Sequence, residues 1–141
     1  MEFYIVGKTE DEEWFNYLNS IDGVKALGFV DDLSLAYKEC RVVIIPVYQG
    51  SGTCVKFVEG LMMNRPIVST PVGARGFDRI CKDGTDYILA NHDNEFADGV
   101  VKLLNSIDLS KAMANNANIV YKENFSQNRF IEIVTKAINT L

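Results

Sequence analysis

VVIIPVYQGSGTCVKFVEGLMMNRPIVSTPVGARG, residues 42–76, is the stretch that decides the fold. It opens with the continuous apolar run 42–45, which Pro46 closes, and this run predicts a buried strand. A turn containing Gly50, Ser51 and Gly52 follows, then a helix from about residue 53 to 63. A second apolar strand, 66–70, leads into another glycine turn, 73–76. This order predicts a βαβ unit whose two strands end at the same edge of a parallel sheet.

The flanking sequence continues the alternation of strands and helices. Short apolar runs predict further strands, and acidic or capping residues before apolar-periodic stretches predict helices. The strands are short and apolar throughout, so both of their faces are expected to be buried. We therefore predict one domain, residues 1–141, with an α/β fold: a Rossmann-like open parallel sheet flanked by helices, with a helical C-terminal tail. The additional strands are predicted at 3–7, 24–29 and 87–90, and the additional helices begin near 10, 32, 93, 108 and 126.

Composition limits the kinds of partner. The chain carries a formal net charge of −5, which argues against nucleic acid or an anionic membrane as the main partner, since both need a concentrated positive face. No apolar run approaches the roughly 20 residues of a membrane span. The three cysteines are scattered and predict reduced thiols, and His92 is the only histidine, so neither a metal site nor a cofactor is predicted. The cysteines are Cys40, Cys54 and Cys81.

The predicted helix after the first glycine turn brings polar side chains to the sheet edge. Glycine allows the backbone to approach a ligand closely, and the free N–H groups of a helix N-terminus attract phosphate. Lys56 lies within one turn of the helix start, where its ammonium can neutralise a phosphate. Glu59 lies one turn deeper, where its carboxylate can accept hydrogen bonds from a vicinal diol such as that of ribose.

Helical spacing also divides this segment into two faces. One face is predicted to point toward the ligand, and the other toward the core. The ligand face comprises Thr53 (a helix cap or first-turn residue), Lys56, Glu59 or Gly60, and Met63, and the core face comprises Val55, Val58, Leu61 and Met62.

The same residues have a simpler interpretation. A lysine and a glutamate at i, i+3 often form a solvated surface pair worth a few tenths of a kcal/mol, and glycines after strands are often only turn residues. Spacing alone does not decide between this interpretation and a ligand site. The chain contains no GxxxxGK[ST] motif and no GxGxxG after its first strand, so neither a P-loop nor a dinucleotide-binding fold is predicted.

At these residues the chain resembles the C-terminal, donor-binding domain of retaining glycosyltransferases of the GT-B architecture, group 1 or family 4. The segment 42–76 is similar to that family's strand, glycine turn, "GT…K..E" helix, "G.P.V.T" strand and "VGA.G" turn. Downstream, DGTDYILANHDNEFADGVVKLLNS is similar to "DG…L.V…D..EFA.A…LL". Upstream, FYIVGK and VKALGFVDDLSLAYKECRVVIIP also follow the family's order, so the resemblance covers nearly the whole chain.

The resemblance implies transfer of a sugar, of hexosyl type, from a nucleoside diphosphate sugar to an acceptor with retention and without metal. Glu59 matches the residue that binds the donor ribose, Lys56 a residue near the phosphates, and Val30 a segment that contacts the base. The resemblance also implies a cytoplasmic enzyme of cell envelope polysaccharide synthesis and leaves a peripheral membrane association of the full-length enzyme open. The implied donor-binding residues are Gly50, Ser51, Gly52, Thr53, Lys56, Glu59, Gly73, Ala74, Arg75 and Gly76.

The chain departs from the family pattern in two ways. Ser51 occupies the position, eight residues before Glu59, where the family often has a glutamate that contacts the transferred sugar. The family's opening strand and helix, with an arginine and a lysine for the diphosphate, and its N-terminal acceptor domain are also missing.

These departures lead to an expectation and leave an alternative. We expect a donor-binding fragment of a two-domain enzyme with little activity of its own, because half a cleft neither orients an acceptor nor excludes water. The alternative is a non-catalytic nucleotide-binding or interaction module on the same fold. A phosphoacceptor receiver domain is disfavoured, because the strands end in Gly7, Pro46 and Thr70 rather than in an acidic cluster.

Overall fold

A computed structural model describes residues 1–140 of the chain. Contacts within the backbone divide it into two compact units, Met1–Ala36 and the residues from Tyr37 onward. Five strands and six helices are present among the described residues. In chain order they are β1 (Phe3–Val6), α1 (Glu12–Ser20), β2 (Val24–Gly28), α2 (Leu33–Glu39), β3 (Val43–Ile45), α3 (Val55–Met62), β4 (Ile67–Ser69), β5 (Ile88–Leu89), α4 (Asp93–Asn105), α5 (Ile107–Asn124) and α6 (Gln127–Ile138).

In the first unit, β1 and β2 pair in parallel, and α1 packs against β2. The Asp11 carboxylate caps α1 by accepting a hydrogen bond from the backbone N–H of Trp14, 2.9 Å away. The expectation that the first strand is buried on both faces is wrong, because Phe3 and Tyr4 are 42% and 46% exposed. A pair of strands has two edges and little area to cover, so its apolar residues stay half in water.

In the second unit, β3, β4 and β5 form a three-stranded parallel sheet with β4 in the centre. This confirms the predicted α/β class with parallel strands flanked by helices. We expected one continuous hydrogen-bonded sheet. The strands instead form a two-stranded and a three-stranded sheet. Whether residues 1–141 act as one donor-binding domain stays a prediction.

The central strand β4 is covered on both of its faces. Ile67 belongs to an apolar cluster with Phe57, Leu61 and Phe77, whereas its neighbour Val68 belongs to a different cluster. Successive side chains of a strand point to opposite sides, so one short strand supports two cores. Here the expectation of double coverage is confirmed, since all three β4 residues are buried.

Helix α3 is rotated relative to the faces that we predicted. Val55 and Met62 are 65% and 40% exposed, so their assignment to the core is wrong, whereas Leu61 is fully buried as expected. The buried stripe consists of Phe57, Gly60 and Leu61, which follow the i, i+3, i+4 spacing of one helix face. Gly60 therefore does not belong to the ligand face, since a Cβ there would lie 2.8 Å from Ile67 Cδ1.

The C-terminal helices complete the second unit. The hydroxyl groups of Ser106 and Ser126 cap α5 and α6 by accepting hydrogen bonds from Leu109 N and Arg129 N. The side-chain amide of Asn118, on α5, donates to the carbonyl groups of Leu61 and Met62 at the end of α3, at 3.2 and 3.1 Å. This contact fixes the C-terminal end of the helix that carries Lys56 and Glu59. No helix within residues 1–140 has the length and apolarity that crossing a membrane requires.

Candidate functional site

The two glycine turns meet at one edge of the three-stranded sheet. β3 and β4 run parallel, and the backbone N–H of Thr70 donates to Ile45 O where the two strands end. Beyond the strands, Arg75 Nη1 of the second turn donates to the carbonyl oxygen of Gly50 in the first, at 3.2 Å. The prediction that both turns lie at the same edge is therefore confirmed by a direct contact between them.

The first turn is open to solvent. Gly50 and Gly52 adopt positive φ values of +146° and +88°, which side chains rarely tolerate, and a Cβ at either position would meet nothing within 4 Å. Gly50, Ser51, Gly52 and Thr53 are all exposed. Backbone groups in this stretch can thus be reached by a ligand without displacing protein atoms.

The second turn is partly embedded in the core. Gly73 and Ala74 are buried, whereas Arg75 and Gly76 are exposed. A Cβ at Gly73 would lie 2.6 Å from Ser69 Oγ and 2.8 Å from Ile45 Cγ2, so only glycine fits between the strand ends. The buried hydroxyl of Thr70 donates to Val47 O and accepts from Gly73 N, and it therefore links the segment between β3 and the first turn to the second turn.

The N-terminus of α3 lies directly after the first turn and is uncapped. Cys54 occupies the cap position without a side-chain hydrogen bond, and the first turn contains no acidic residue. Thr53 precedes the helix, so its predicted place as cap or first-turn residue is wrong. Each of the other helices in residues 1–140 has either a side-chain cap or acidic residues in its first turn. The unsatisfied N–H groups of α3 therefore favour an anion.

Lys56 and Glu59 lie on α3 but do not pair with each other. None of the salt bridges among residues 1–140 involves either side chain, so the alternative of a simple surface ion pair does not hold in the structure. Lys56 is exposed near the helix N-terminus, and Glu59 is half-buried one turn later. Neither the Lys56 ammonium nor the Glu59 carboxylate therefore has its charge offset by a salt bridge within residues 1–140.

Glu59 has a partner that sequence reasoning missed. The phenol hydroxyl of Tyr37, on α2, donates to Glu59 Oε2 at 2.8 Å. Burial of the ring is the larger cause and this hydrogen bond the second, and together they raise the pKa of Tyr37 well above its usual range. The sequence predicts only that Tyr37 lies in the helix that begins near residue 32. A half-buried tyrosine does need a partner for its hydroxyl, but the sequence does not say which one.

Two surface clefts of about 350 Å³ each lie away from these residues. One is in the first unit at the ends of β1 and β2, where Lys8, Gly28 and Phe29 line it, next in sequence to Val30. The other lies between β5 and α4 and is lined by Asp83, Glu95 and other residues. Neither of these two clefts is lined by Gly52, Lys56 or Glu59. Among residues 1–140, no three His, Cys, Asp or Glu side chains are grouped as metal ligands.

This fold belongs to a known class of enzymes. The family model described as "Glycosyl transferases group 1" matches residues 1–106, which is most of the chain. The chain therefore belongs to the group 1 glycosyltransferase family.

A curated relative supports the assignment and shows how much of such a protein the chain represents. An uncharacterized glycosyltransferase of Methanocaldococcus jannaschii, MJ1069, is 30% identical over 146 aligned residues. The alignment covers 97% of this chain but only 36% of that protein. The chain thus spans little more than a third of the relative's length.

Solved structures show the same fold. HepE of Anabaena, crystallised with UDP, superposes with a TM-score of 0.83 at 17% identity and covers all of this chain and 41% of its own. The crystal structure of the same protein with UDP-glucose gives a TM-score of 0.79, also at 17% identity, over 98% of this chain and 40% of its own. At this identity the likeness establishes the GT-B type of fold, and what HepE binds is a property of HepE.

Proposed function

We propose that the chain forms the donor half of a glycosyltransferase and binds a nucleoside diphosphate sugar at the rim formed by the two glycine turns. The observation that carries the proposal is the uncapped N-terminus of α3, which directly follows the first glycine turn and has no acidic residue in its first helical turn. An uncapped helix end beside exposed glycines attracts a diphosphate. The UDP and UDP-glucose complexes of HepE, which has the same fold, support this choice of ligand.

Each rim residue then has a proposed part. Backbone N–H groups from Gly50 to Thr53 and the first turn of α3 hold the diphosphate, and the Lys56 ammonium neutralises part of its charge. Glu59 accepts hydrogen bonds from the ribose hydroxyls. In the second turn, Arg75 and Gly76 face the ligand, whereas Gly73 and Ala74 support the loop from the core, since both are buried.

The proposed reaction is departure of the nucleoside diphosphate as the sugar is transferred with retention. The bond between the anomeric carbon and the diphosphate oxygen breaks, and a bond from the anomeric carbon to the acceptor hydroxyl oxygen forms on the same face of the sugar. The hydroxyl proton passes to the departing diphosphate, and the charge that develops on the diphosphate oxygen is stabilised by the α3 N–H groups and Lys56. These groups are fixed before the reaction begins, so they need no reorganisation when charge appears. Ser51 stands where the family often has a glutamate. The transferred sugar therefore has one carboxylate contact fewer here than in family members that carry that glutamate.

Acceptor binding is proposed to need residues outside these 141. The relative MJ1069 is almost three times as long as the matched region, and transfer needs an acceptor oriented against the donor with water excluded. We therefore expect the 141 residues alone to bind donor but to transfer little sugar. A hexosyl donor, a cytoplasmic location and a cell envelope acceptor stay predictions from the resemblance.

Calorimetric titration tests the donor site directly. The chain is titrated with UDP, ADP, GDP and inorganic pyrophosphate, and we expect saturable binding of at least one nucleoside diphosphate. Glu59→Ala should weaken that binding by about 10- to 100-fold, because hydrogen bonds to a charged group contribute about 1.5–3 kcal/mol each. Glu123→Ala, which removes an exposed carboxylate on α5, is the matched control and should change nothing.

The lysine is tested in the same way. Lys56→Ala should weaken diphosphate binding and flatten its dependence on salt, because a point charge near the phosphates is screened by ions. Lys111→Ala, an exposed lysine on α5, controls for net charge. If none of the three nucleoside diphosphates binds saturably, the proposal is wrong. Binding together with absence of transfer by a longer form that includes the acceptor region would favour the non-catalytic module instead.

A further inference from the structure

The hydrogen bond between Tyr37 and Glu59 bears on how the donor ribose is held. The inference drawn from it rests on the proposed function. A carboxylate has two oxygens, and the Tyr37 hydroxyl donates to Oε2 at 2.8 Å. We propose that Tyr37 is a positioning residue that fixes the Glu59 carboxylate so that its remaining acceptor sites face the ribose hydroxyls. In this arrangement Tyr37 determines how strongly the site prefers a ribose diol over a sugar without hydroxyl groups.

The end of α2 that carries Tyr37 is held firmly against the α3 region. Arg65, in the segment after α3, donates from Nη2 to the carbonyl oxygen of Lys38 at 2.9 Å. The thiol of Cys40 donates to the carbonyl oxygen of Tyr37 at 3.3 Å. Both hydrogen bonds hold the backbone on the C-terminal side of Tyr37, and the Tyr37 hydroxyl is already bonded to Glu59, so it does not need to be ordered when a ligand arrives. Preorganised groups of this kind lose less entropy on binding.

The chemistry of the pair suits diol recognition. A cation beside Glu59 would neutralise it, but among residues 1–140 no salt bridge reaches this carboxylate. A phenol satisfies one oxygen and leaves the negative charge in place, so Glu59 remains a strong acceptor for hydroxyl hydrogens. Burial and the Glu59 contact raise the pKa of Tyr37, so its hydroxyl stays protonated and remains a donor at neutral pH.

The test compares ribose preference in matched variants. Whichever of UDP, ADP and GDP binds most tightly is titrated beside its 2′,3′-dideoxy analogue. The dissociation constant of the dideoxy analogue divided by that of the ribose form measures the preference for the diol. Tyr37→Phe keeps the ring and removes only the hydroxyl. We expect it to reduce the ratio about tenfold, as one lost hydrogen bond to a charged group would, while the affinity for the dideoxy analogue stays within twofold of wild type.

A matched substitution and a double variant separate positioning from general loosening. Tyr48→Phe removes another phenol hydroxyl that donates to a carboxylate, that of Asp93 at 2.6 Å, and should leave the ratio unchanged. In the Glu59→Ala background, Tyr37→Phe should have no further effect on the ratio, because the phenol acts only through Glu59. Thermal melting checks that each variant is folded, and Tyr37→Met replaces Tyr37→Phe if the latter is not.

The outcomes separate the two proposals. A wild-type ratio in folded Tyr37→Phe, or equal weakening of ribose and dideoxy ligands, overturns the positioning role and leaves the donor site intact. A ratio that falls in Tyr48→Phe as much as in Tyr37→Phe also overturns it. Absence of nucleoside diphosphate binding by the wild-type chain overturns the donor site and, with it, this inference.

Discussion

The two glycine turns look alike in sequence but differ in the structure. Each follows a strand of the same sheet, and each contains two glycines within four residues. In the first turn, Gly50 and Gly52 are exposed and have open space where a Cβ would lie. In the second, Gly73 is buried and a Cβ would lie 2.6 Å from Ser69 Oγ.

This difference shows that glycine is required at the two turns for separate physical reasons. At Gly52 the backbone adopts φ +88°, a conformation that only glycine adopts readily, and the space beside it is left for a ligand. At Gly73 the φ is ordinary, and the requirement is room between the ends of β3 and β4. The first turn is therefore the candidate for ligand binding. The second turn is held to the core by the hydrogen bond from Gly73 N to the Thr70 hydroxyl, and it contacts the first turn through Arg75.

Gly73→Ala should have the largest effect on stability. The added methyl group overlaps Ser69 Oγ and lies 3.1 Å from Ile45 O, a backbone atom that cannot move aside. We expect a loss of about 3 kcal/mol in the free energy of unfolding and a fall of roughly 10 °C in melting temperature. Gly76→Ala, in the same turn but with open space, is the control and should cost about 1 kcal/mol from its positive φ. Equal losses in both variants, measured by denaturant titration, would show that the turn is not limited by packing.

Gly52→Ala should have a smaller effect on stability and a clear effect on binding. Its positive φ costs about 1 kcal/mol for any other residue, and the new methyl group stands where the proposed diphosphate approaches. Gly84→Ala has a similar φ of +75° and open space but lies in the turn before β5. Both variants should unfold at similar denaturant concentrations, and only Gly52→Ala should weaken nucleoside diphosphate binding. Equal affinities in the two variants would contradict the assignment of the first turn to the ligand.

Thiol labelling gives the smallest perturbation and tests the same contrast. Cys81 is 5% exposed and belongs to the core cluster that also contains Ala74 of the second turn. Burial, with a smaller contribution from Asp86, raises the pKa of Cys81 to about 12. Cys54, beside the first turn, is only half-buried. Because the thiolate is the reactive form, Cys54 should react with N-ethylmaleimide at pH 7.5 far faster than Cys81, which should react only on unfolding. Mass spectrometry of labelled peptides measures both rates, and rapid modification of native Cys81 would contradict the buried position.

Most of the secondary structure could be predicted because its signals are local. The predicted strands at 42–45 and 66–70 are observed as β3 and β4, each shorter by one residue at one or both ends. The helices expected to begin near residues 32 and 126 are also observed, and Asp32 and Ser126 cap them. The errors concern which face of an element is buried. Val55 is apolar but exposed, because Phe57, Gly60 and Leu61 already fill the contact with the sheet.

The site was predictable in part for the same reason. Turn chemistry and strand order place both glycine turns at one edge, and helix spacing places Lys56 near the α3 N-terminus. The Tyr37–Glu59 hydrogen bond and the Arg75–Gly50 hydrogen bond join residues more than twenty positions apart. Nothing in the local pattern specifies such a pair, since each depends on how separate elements pack.

The sequence by itself determined the alternation of strands and helices, the parallel order of the strands and the polar residues available at the sheet edge. These follow from short-range periodicity, from caps and from glycine and proline, all of which act within a few residues. Tertiary structure alone decided which glycine is held by packing and which is left open, and it decided that a phenol rather than a cation faces Glu59. Those outcomes depend on the close packing of side chains from distant segments, where a difference of one methyl group changes what can fit.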